Sequence, residues 1–195
     1  MRTDPDGVEP QRGLPLKEAL FLGFCAVFIL FTRAALRLHL GISGHSMFFT
    51  LFFLMLARAC VHYRLSATFV GFLSGIMAVV LGLGKGGPLI MLKFLLPALV
   101  VDLGAVLLPR ILFQSYMLCG LLAACAAATK FIDTFVVDTL VGMDAAIVIQ
   151  HAALKTLGGV LFGVAGSMLI PPVVRKLGAF GVIGPPPDTA EGPAG

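Results

Sequence analysis

The sequence predicts an all-α integral membrane protein, folded as a six-transmembrane-helix bundle, and three observations carry that prediction. Hydrophobic residues make up 58% of the 195 positions and charged residues only 12%, with a mean hydropathy of +1.01. Soluble domains carry about 25% charged residues. The apolar residues are also gathered into long stretches, and a helix needs about 20 residues to cross the hydrocarbon core. Finally, Lys93, Asp102, Asp144, His151 and Lys155 all fall inside those stretches. An ionisable group there costs roughly 2.5–3.5 kcal/mol on insertion scales, so it pairs with another group or lines a polar cavity.

Residues 1–16 are polar, hold Pro5, Pro10 and Pro15, and read as a disordered cytoplasmic tail. The first span runs from about Lys17 to Leu40. It lacks a small-residue cleavage site, and Phe24 before Cys25 speaks against lipoprotein processing, so it reads as a retained helix. The second span covers about Met47 to Tyr63. The third lies in Leu65–Gly84, free of charge, and a Gly-rich break from Gly82 to Pro88 ends it. The fourth runs from about Leu89 to Leu108 through Pro97. The fifth is Ile111 to Thr129, bounded by Arg110 and Lys130. The sixth extends from about Thr139 to Val174, longer than one crossing requires, with Pro171-Pro172 and Arg175-Lys176 marking its end. These spans form one transmembrane domain, 17–176, and residues 177–195 read as a flexible Pro/Gly-rich tail.

Six spans put both ends on one side. If that side is cytoplasmic, the inside segments carry eight basic residues: Arg2, Arg12, Lys17, Arg58, Arg64, Arg110, Arg175 and Lys176. The outside carries four, Arg33, Arg37, Lys85 and Lys130. The positive-inside rule then favours both termini in the cytoplasm and a location in the cytoplasmic (inner) membrane. Asp133 and Asp138 fall on the outer loop between spans five and six. The net charge of +4 does not point to nucleic acid, because the basic residues are scattered singly. Cys25, Cys60, Cys119 and Cys125 lack C-x-x-C spacing and read as small buried hydrophobes. No metal and no cofactor is expected.

Close packing of membrane helices favours small residues four apart. Gly71 and Gly75 supply this on span three, and Gly159, Gly163 and Ser167 on span six, for packing inside the bundle. Ala19 and Gly23 lie in the cytoplasmic half of span one, where they either pack internally or form a docking face for another membrane subunit.

A chain of about 200 residues with these features resembles the substrate-binding membrane subunits (S-components) of energy-coupling factor transporters. Four features carry the resemblance. They are the Ala19/Gly23 face, the loop Gly41-Ile-Ser-Gly-His-Ser46, the Gly-rich third span, and the polar residues on spans four to six. The resemblance implies a small-molecule ligand held near the outer face under the loop between spans one and two. It also implies docking through the first helix onto a transmembrane coupling subunit that works with a pair of ATPases. Nickel and cobalt members bind metal through an N-terminal Met-His, whereas Arg2 follows Met1 here, which sets that subgroup aside.

The residues themselves suggest where a ligand would sit. His45 lies between Gly44 and Ser46, and either caps the next helix or contacts ligand. Lys93, about one turn inside span four, either snorkels to the interface or meets an anionic group. Asp102 is about 180° around that helix from Lys93, so the two should not share a face. From Asp144, His151 is rotated by about −20° and Lys155 by about +20°, so these three share a face. Lys155 needs a counter-ion, and Asp102 lies at a compatible depth, so Lys155 faces either Asp102 or the ligand. With Lys93, Lys130 and Lys155 nearby, an anionic or zwitterionic solute is favoured. Two other classes compete. A non-transporting scaffold or accessory subunit would use the same small-residue faces. An intramembrane enzyme would need motifs such as H-E-x-x-H or G-x-S-x-G, and the chain has neither, so no enzymatic activity is expected.

Overall fold

The computed structural model describes residues 15–39, 45–61, 63–83, 87–107, 113 and 115–179. Among the described residues the chain is all-helical. Its helices are α1 (Leu16–His39), α2 (His45–Cys60), α3 (Ser66–Val80), α4 (Ile90–Leu107), α5 (Tyr116–Leu140), α6 (Ala145–Ser167) and α7 (Ile170–Ala179). A single 3-10 turn at Gly87–Leu89 leads into α4, which continues through Pro97.

The first four helices lie within the expected spans to a few residues. Two later boundaries are corrected. The fifth helix does not stop at Thr129 but runs on to Leu140. Nothing between Lys130 and Thr139 breaks a helix, and the chain turns only at Gly142, whose φ of +84° is a conformation that glycine adopts without strain. Asp133 and Asp138, expected on an outer loop, are therefore helical, and Asp133 is buried. The long sixth span divides into α6 and the short α7, with Met168 and Leu169 in the turn between them. Pro171 and Pro172 fall in the first turn of α7, where a missing N–H breaks no helical bond.

Small residues set how the helices meet. α3 packs along α4, α5 along α6, and α6 also along α2, while α1 rests on α2 and α3. A Cβ on Gly71 would stand 2.6 Å from Ala98 Cβ and 2.7 Å from the Phe94 carbonyl oxygen. A Cβ on Gly163 would stand 2.6 Å from Leu51 Cδ1, and one on Gly166 2.5 Å from the Phe48 carbonyl oxygen. Such close approach brings the helix backbones into van der Waals contact along these seams. Leu22, Ile29, Leu54, Met55, Phe94 and Val101 fill the centre.

The outward faces are apolar too: Phe24, Phe31, Leu103, Leu121, Leu154 and Leu161 are all exposed. Four stretches are long and apolar enough to cross a membrane: Leu16–Ala35, Ile90–Leu107, Tyr116–Leu140 and Ala145–Leu177. α2 and α3, with 16 and 15 residues, are apolar but shorter. At 1.5 Å per residue they reach about 22–24 Å, against a hydrocarbon core of about 30 Å.

Candidate functional site

Buried charge gathers at the two opposite ends of the bundle. One end is formed by the C-terminal parts of α2 and α4 and the start of α3. Asp102 on α4 is 2% exposed there. It accepts hydrogen bonds from the Ala67 N–H (3.2 Å), the Thr68 N–H (2.6 Å) and the Thr68 hydroxyl (2.6 Å). These are orphan donors of the first turn of α3, whose own N-cap position, Leu65, offers no side-chain acceptor. Asp102 thus caps α3 from a neighbouring helix. Arg58 on α2 brings its Nε to 3.4 Å from Asp102 Oδ1 and donates through Nη1 to the Val61 carbonyl at 3.5 Å. One guanidinium answers one carboxylate, and Arg64 lies within electrostatic reach of that guanidinium. The expected alternative of a Lys155 to Asp102 pair is corrected here. The main neighbours of α4 are α3 and α5, whereas those of α6 are α5 and α2, so the two helices do not bring these side chains together.

The other end is built from the C-terminal parts of α1 and α5 and the N-terminal parts of α2, α4 and α6. Lys93 Nζ stands 3.7 Å from Asp133 Oδ2. Asp133 is 2% exposed, while a third of the Lys93 side chain remains accessible. Arg33 on α1 lies over the Phe94 ring, its guanidinium carbon 4.8 Å from the ring centroid. Arg33, Lys93 and Lys155 bring their charges within electrostatic reach of Lys130, and Arg33, Lys93 and Lys130 do the same for Asp133. Three cations from three helices therefore surround one carboxylate, and Lys155 from a fourth helix lies within reach of Lys130. Among the described residues, neither Lys130 nor Lys155 has a carboxylate at ion-pair distance. Two like charges about 7 Å apart repel by about 2 kcal/mol at an effective dielectric of 20. Such a cluster opposes its own assembly.

The sequence makes room for it. A Cβ on Gly159 would lie 3.1 Å from Lys130 Cδ, 3.6 Å from Lys130 Nζ and 3.5 Å from Met47 Cγ. Glycine at 159 opens the seam between α5, α6 and the start of α2 to the Lys130 stem. The same seam shows its register. Ala127 lies beside Gly163, Lys130 beside Gly159, and Asp138 Oδ2 is 2.8 Å from His151 Nδ1. Antiparallel helices with these pairs put Asp133 level with Thr156. Asp133 Oδ1 and Thr156 Oγ1 are both buried without a hydrogen-bond partner.

The residues expected from sequence fall as follows. Lys93 and Lys155 belong to the cationic end. His151, on the same seam one turn nearer the helix start, is held by Asp138. Asp144 does not lie within a helix: it is the exposed N-cap of α6, accepting from the Ala146 N–H at 3.4 Å. His45 is the first residue of α2, and residues 41–44 of its loop lie outside the described residues. Ala19 and Gly23 are half-buried, and a Cβ on Gly23 would meet nothing within 4 Å. Sequence reasoning missed Asp133 and Thr156, and it read Arg33 only as an outside charge. The signal for Asp133 was present, since it lies three residues after Lys130 and thus on the same face of any helix continued past 130.

Among the described residues no three His, Cys, Asp or Glu side chains converge as metal ligands. The arrangement instead suits an anion, with an acceptor and a hydroxyl beside it. Comparison of the chain with models of protein families, with curated proteins and with solved structures finds no match.

Proposed function

We propose that this chain is a multi-pass membrane protein that captures a small polar solute and mediates its uptake together with partner subunits. Outward-facing apolar residues on every long helix support a lipid environment, since a soluble protein rarely exposes contiguous apolar patches beyond a few hundred Å². With α2 and α3 counted as short crossings, the six helices alternate in direction and leave both termini on the Arg58 side. Arg33 and Lys130, counted as outside charges from sequence, lie within the cationic cluster rather than in loops. That strengthens the assignment of the Arg58 side to the cytoplasm.

One observation carries the solute-binding reading: Lys93, Arg33 and Lys130 are gathered around the buried Asp133 carboxylate, with Lys155 within reach of Lys130. A scaffold has no use for this arrangement, because helices held together by ion pairs balance their charges. The start of α2 at His45 borders the same end. This agrees with the resemblance to S-components, in which the loop between spans one and two covers the ligand. A docking role for Ala19 and Gly23 on a coupling subunit is supported by the open space beside Gly23.

The test is gentle purification from native membranes, with mass spectrometry of the proteins and small molecules that come along. A coupling subunit, ATPases and one bound solute are expected. An unrelated membrane complex without a solute would replace this reading with the scaffold. Gly23→Trp should abolish partner association and leave thermal stability unchanged, because the added ring meets no neighbour in the fold. Normal assembly of that variant would remove α1 as the docking face.

A further inference from the structure

The Arg58 end of the bundle carries a second charged surface, and this one is exposed. Lys17 at the start of α1, Arg64 in the turn between α2 and α3, and Arg175 and Lys176 on α7 all face outward. Among the described residues none of the four has a carboxylate at ion-pair distance. The described acids at that end are Asp102, buried against Arg58, and the half-buried Glu18, next to Lys17 in the chain. In the tails of the sequence, Asp4, Asp6, Glu9, Asp188 and Glu191 each stand eight or more residues along the chain from these cations. The cations, by contrast, are fixed on the surface of the fold.

Two further features set this surface at the level of lipid headgroups. Tyr63 and Tyr116, the only tyrosines in the chain, both lie at this end and are 42% and 47% exposed, and tyrosine gathers at the membrane–water interface. Helix α6 has 23 residues and reaches about 34 Å, enough by itself for a hydrocarbon core of about 30 Å. Helix α7 therefore begins where that core ends. It is amphipathic: Ile170 is fully buried, and Val173, Val174 and Leu177 pack against the core. These four lie within an arc of about 100°, and Arg175 and Lys176 fall outside it. Cations in a last turn also suit the helix dipole, but that reason does not extend to the others. Lys17 sits in the first turn of α1, where the dipole disfavours it, and Arg64 is not in a helix.

We infer that this end of the protein recognises anionic phospholipid headgroups, with α7 lying in the headgroup layer and Lys17, Arg64, Arg175 and Lys176 meeting the negative lipids of that leaflet. Each Lys or Arg at an anionic membrane surface strengthens attraction about fivefold, the equivalent of about 1 kcal/mol. The inference concerns lipid selection and not the solute, and it rests only on the multi-pass membrane reading above.

The full chain is reconstituted into phosphatidylcholine bilayers with a trace of spin-labelled phosphatidylglycerol or spin-labelled phosphatidylcholine, and the fraction of label held at the protein is measured. The phosphatidylglycerol label is expected to be enriched by about twofold or more over the phosphatidylcholine label, averaged over both leaflets. That excess should vanish in 1 M sodium chloride, where the screening length is about 3 Å. Arg175→Gln with Lys176→Gln should lose most of the enrichment and unfold at the wild-type temperature, since both side chains are exposed. Lys17→Gln with Arg64→Gln carries the same test on other elements if α7 does not tolerate the change. Equal association of the two labels with wild type, or full enrichment in both double variants, overturns the inference. Enrichment lost from Lys155→Gln and kept in both double variants assigns the preference to the opposite end and also overturns it. Equal association of the labels, with a protein that accompanies wild type from native membranes but neither double variant, gives the surface to an acidic partner instead. A chain that does not insert into the bilayers overturns the membrane reading and this inference with it.

Discussion

Asp102 and Asp133 are buried to the same degree, each 2% exposed, yet the protein treats them in opposite ways. Asp102 has three hydrogen-bond donors and one guanidinium, and both of its oxygens are engaged. Asp133 has one lysine at 3.7 Å, two further cations in reach, and an oxygen without a donor. Burial of a charge is common to both ends and so cannot mark a site. The hydrogen bonding of the carboxylate distinguishes them: both Asp102 oxygens accept donors, whereas Asp133 Oδ1 has none, although Arg58 Nε and Ser66 Oγ at the Asp102 end are also buried without a hydrogen-bond partner.

The largest effect that would test this contrast is at the Asp102 end. Asp102→Ala strands the Arg58 guanidinium and uncaps α3 in one step. Removing one partner of a buried pair costs about 3–5 kcal/mol, so the folded protein should be strongly depleted in detergent unfolding assays. Adding Arg58→Met to Asp102→Ala should recover a large part of that loss, because the uncompensated charge goes with it. A loss below about 1 kcal/mol for Asp102→Ala would mean that the Asp102 end is no clamp, and the comparison would collapse.

The seam between α3 and α4 joins the two ends and should respond next most strongly. Gly71→Ala would press its methyl against the Phe94 carbonyl at 2.7 Å and Ala98 at 2.6 Å. Backbone cannot yield as a flexible side chain does, so a cost of about 1–3 kcal/mol is expected. Phe94 carries the Arg33 guanidinium on its ring, so the same substitution should also disturb the cationic end. Measuring thermal stability in detergent checks the expected cost, and a loss below about 1 kcal/mol would show that this seam can yield.

The sequence makes the helices legible and the ion pairs largely illegible. Long apolar runs, the Gly-rich break at 82–88 and the small residues at 71, 75, 159 and 163 identify most of the bundle and its closest contacts. Lys130 misleads, because a charge after an apolar run looks like the end of a span. Once α5 is stopped there, Asp133 becomes a loop residue and drops out of the site. Asp144 misleads in the opposite direction: it shares a helical face with His151 and Lys155 only if the helix already includes it, and it is instead the cap that begins that helix. The Asp102 partner is beyond sequence reasoning for a different reason. Depth along the membrane can be read from position in a span, whereas which helix lies next to α4 is decided by side-chain packing over the whole bundle.

The smallest stability effect is expected at Lys93, and it separates the two ends most sharply. Lys93→Met breaks an ion pair that Asp133 makes at 3.7 Å, which by analogy with Asp102 would be damaging. Two features of the Asp133 end argue the reverse. A third of the Lys93 side chain is exposed, so water already screens the pair, and exposed pairs contribute about 0–1 kcal/mol. Removing Lys93 also withdraws a like charge from Lys130 and leaves Lys130 and Arg33 to answer Asp133. Net stability should therefore change by less than about 1 kcal/mol, while binding of the anionic solute weakens. Unfolding midpoints and solute titrations on one preparation of Lys93→Met read both quantities. A stability loss approaching that of Asp102→Ala, with binding intact, would make the Lys93 end a second structural clamp and remove the basis for a binding site there.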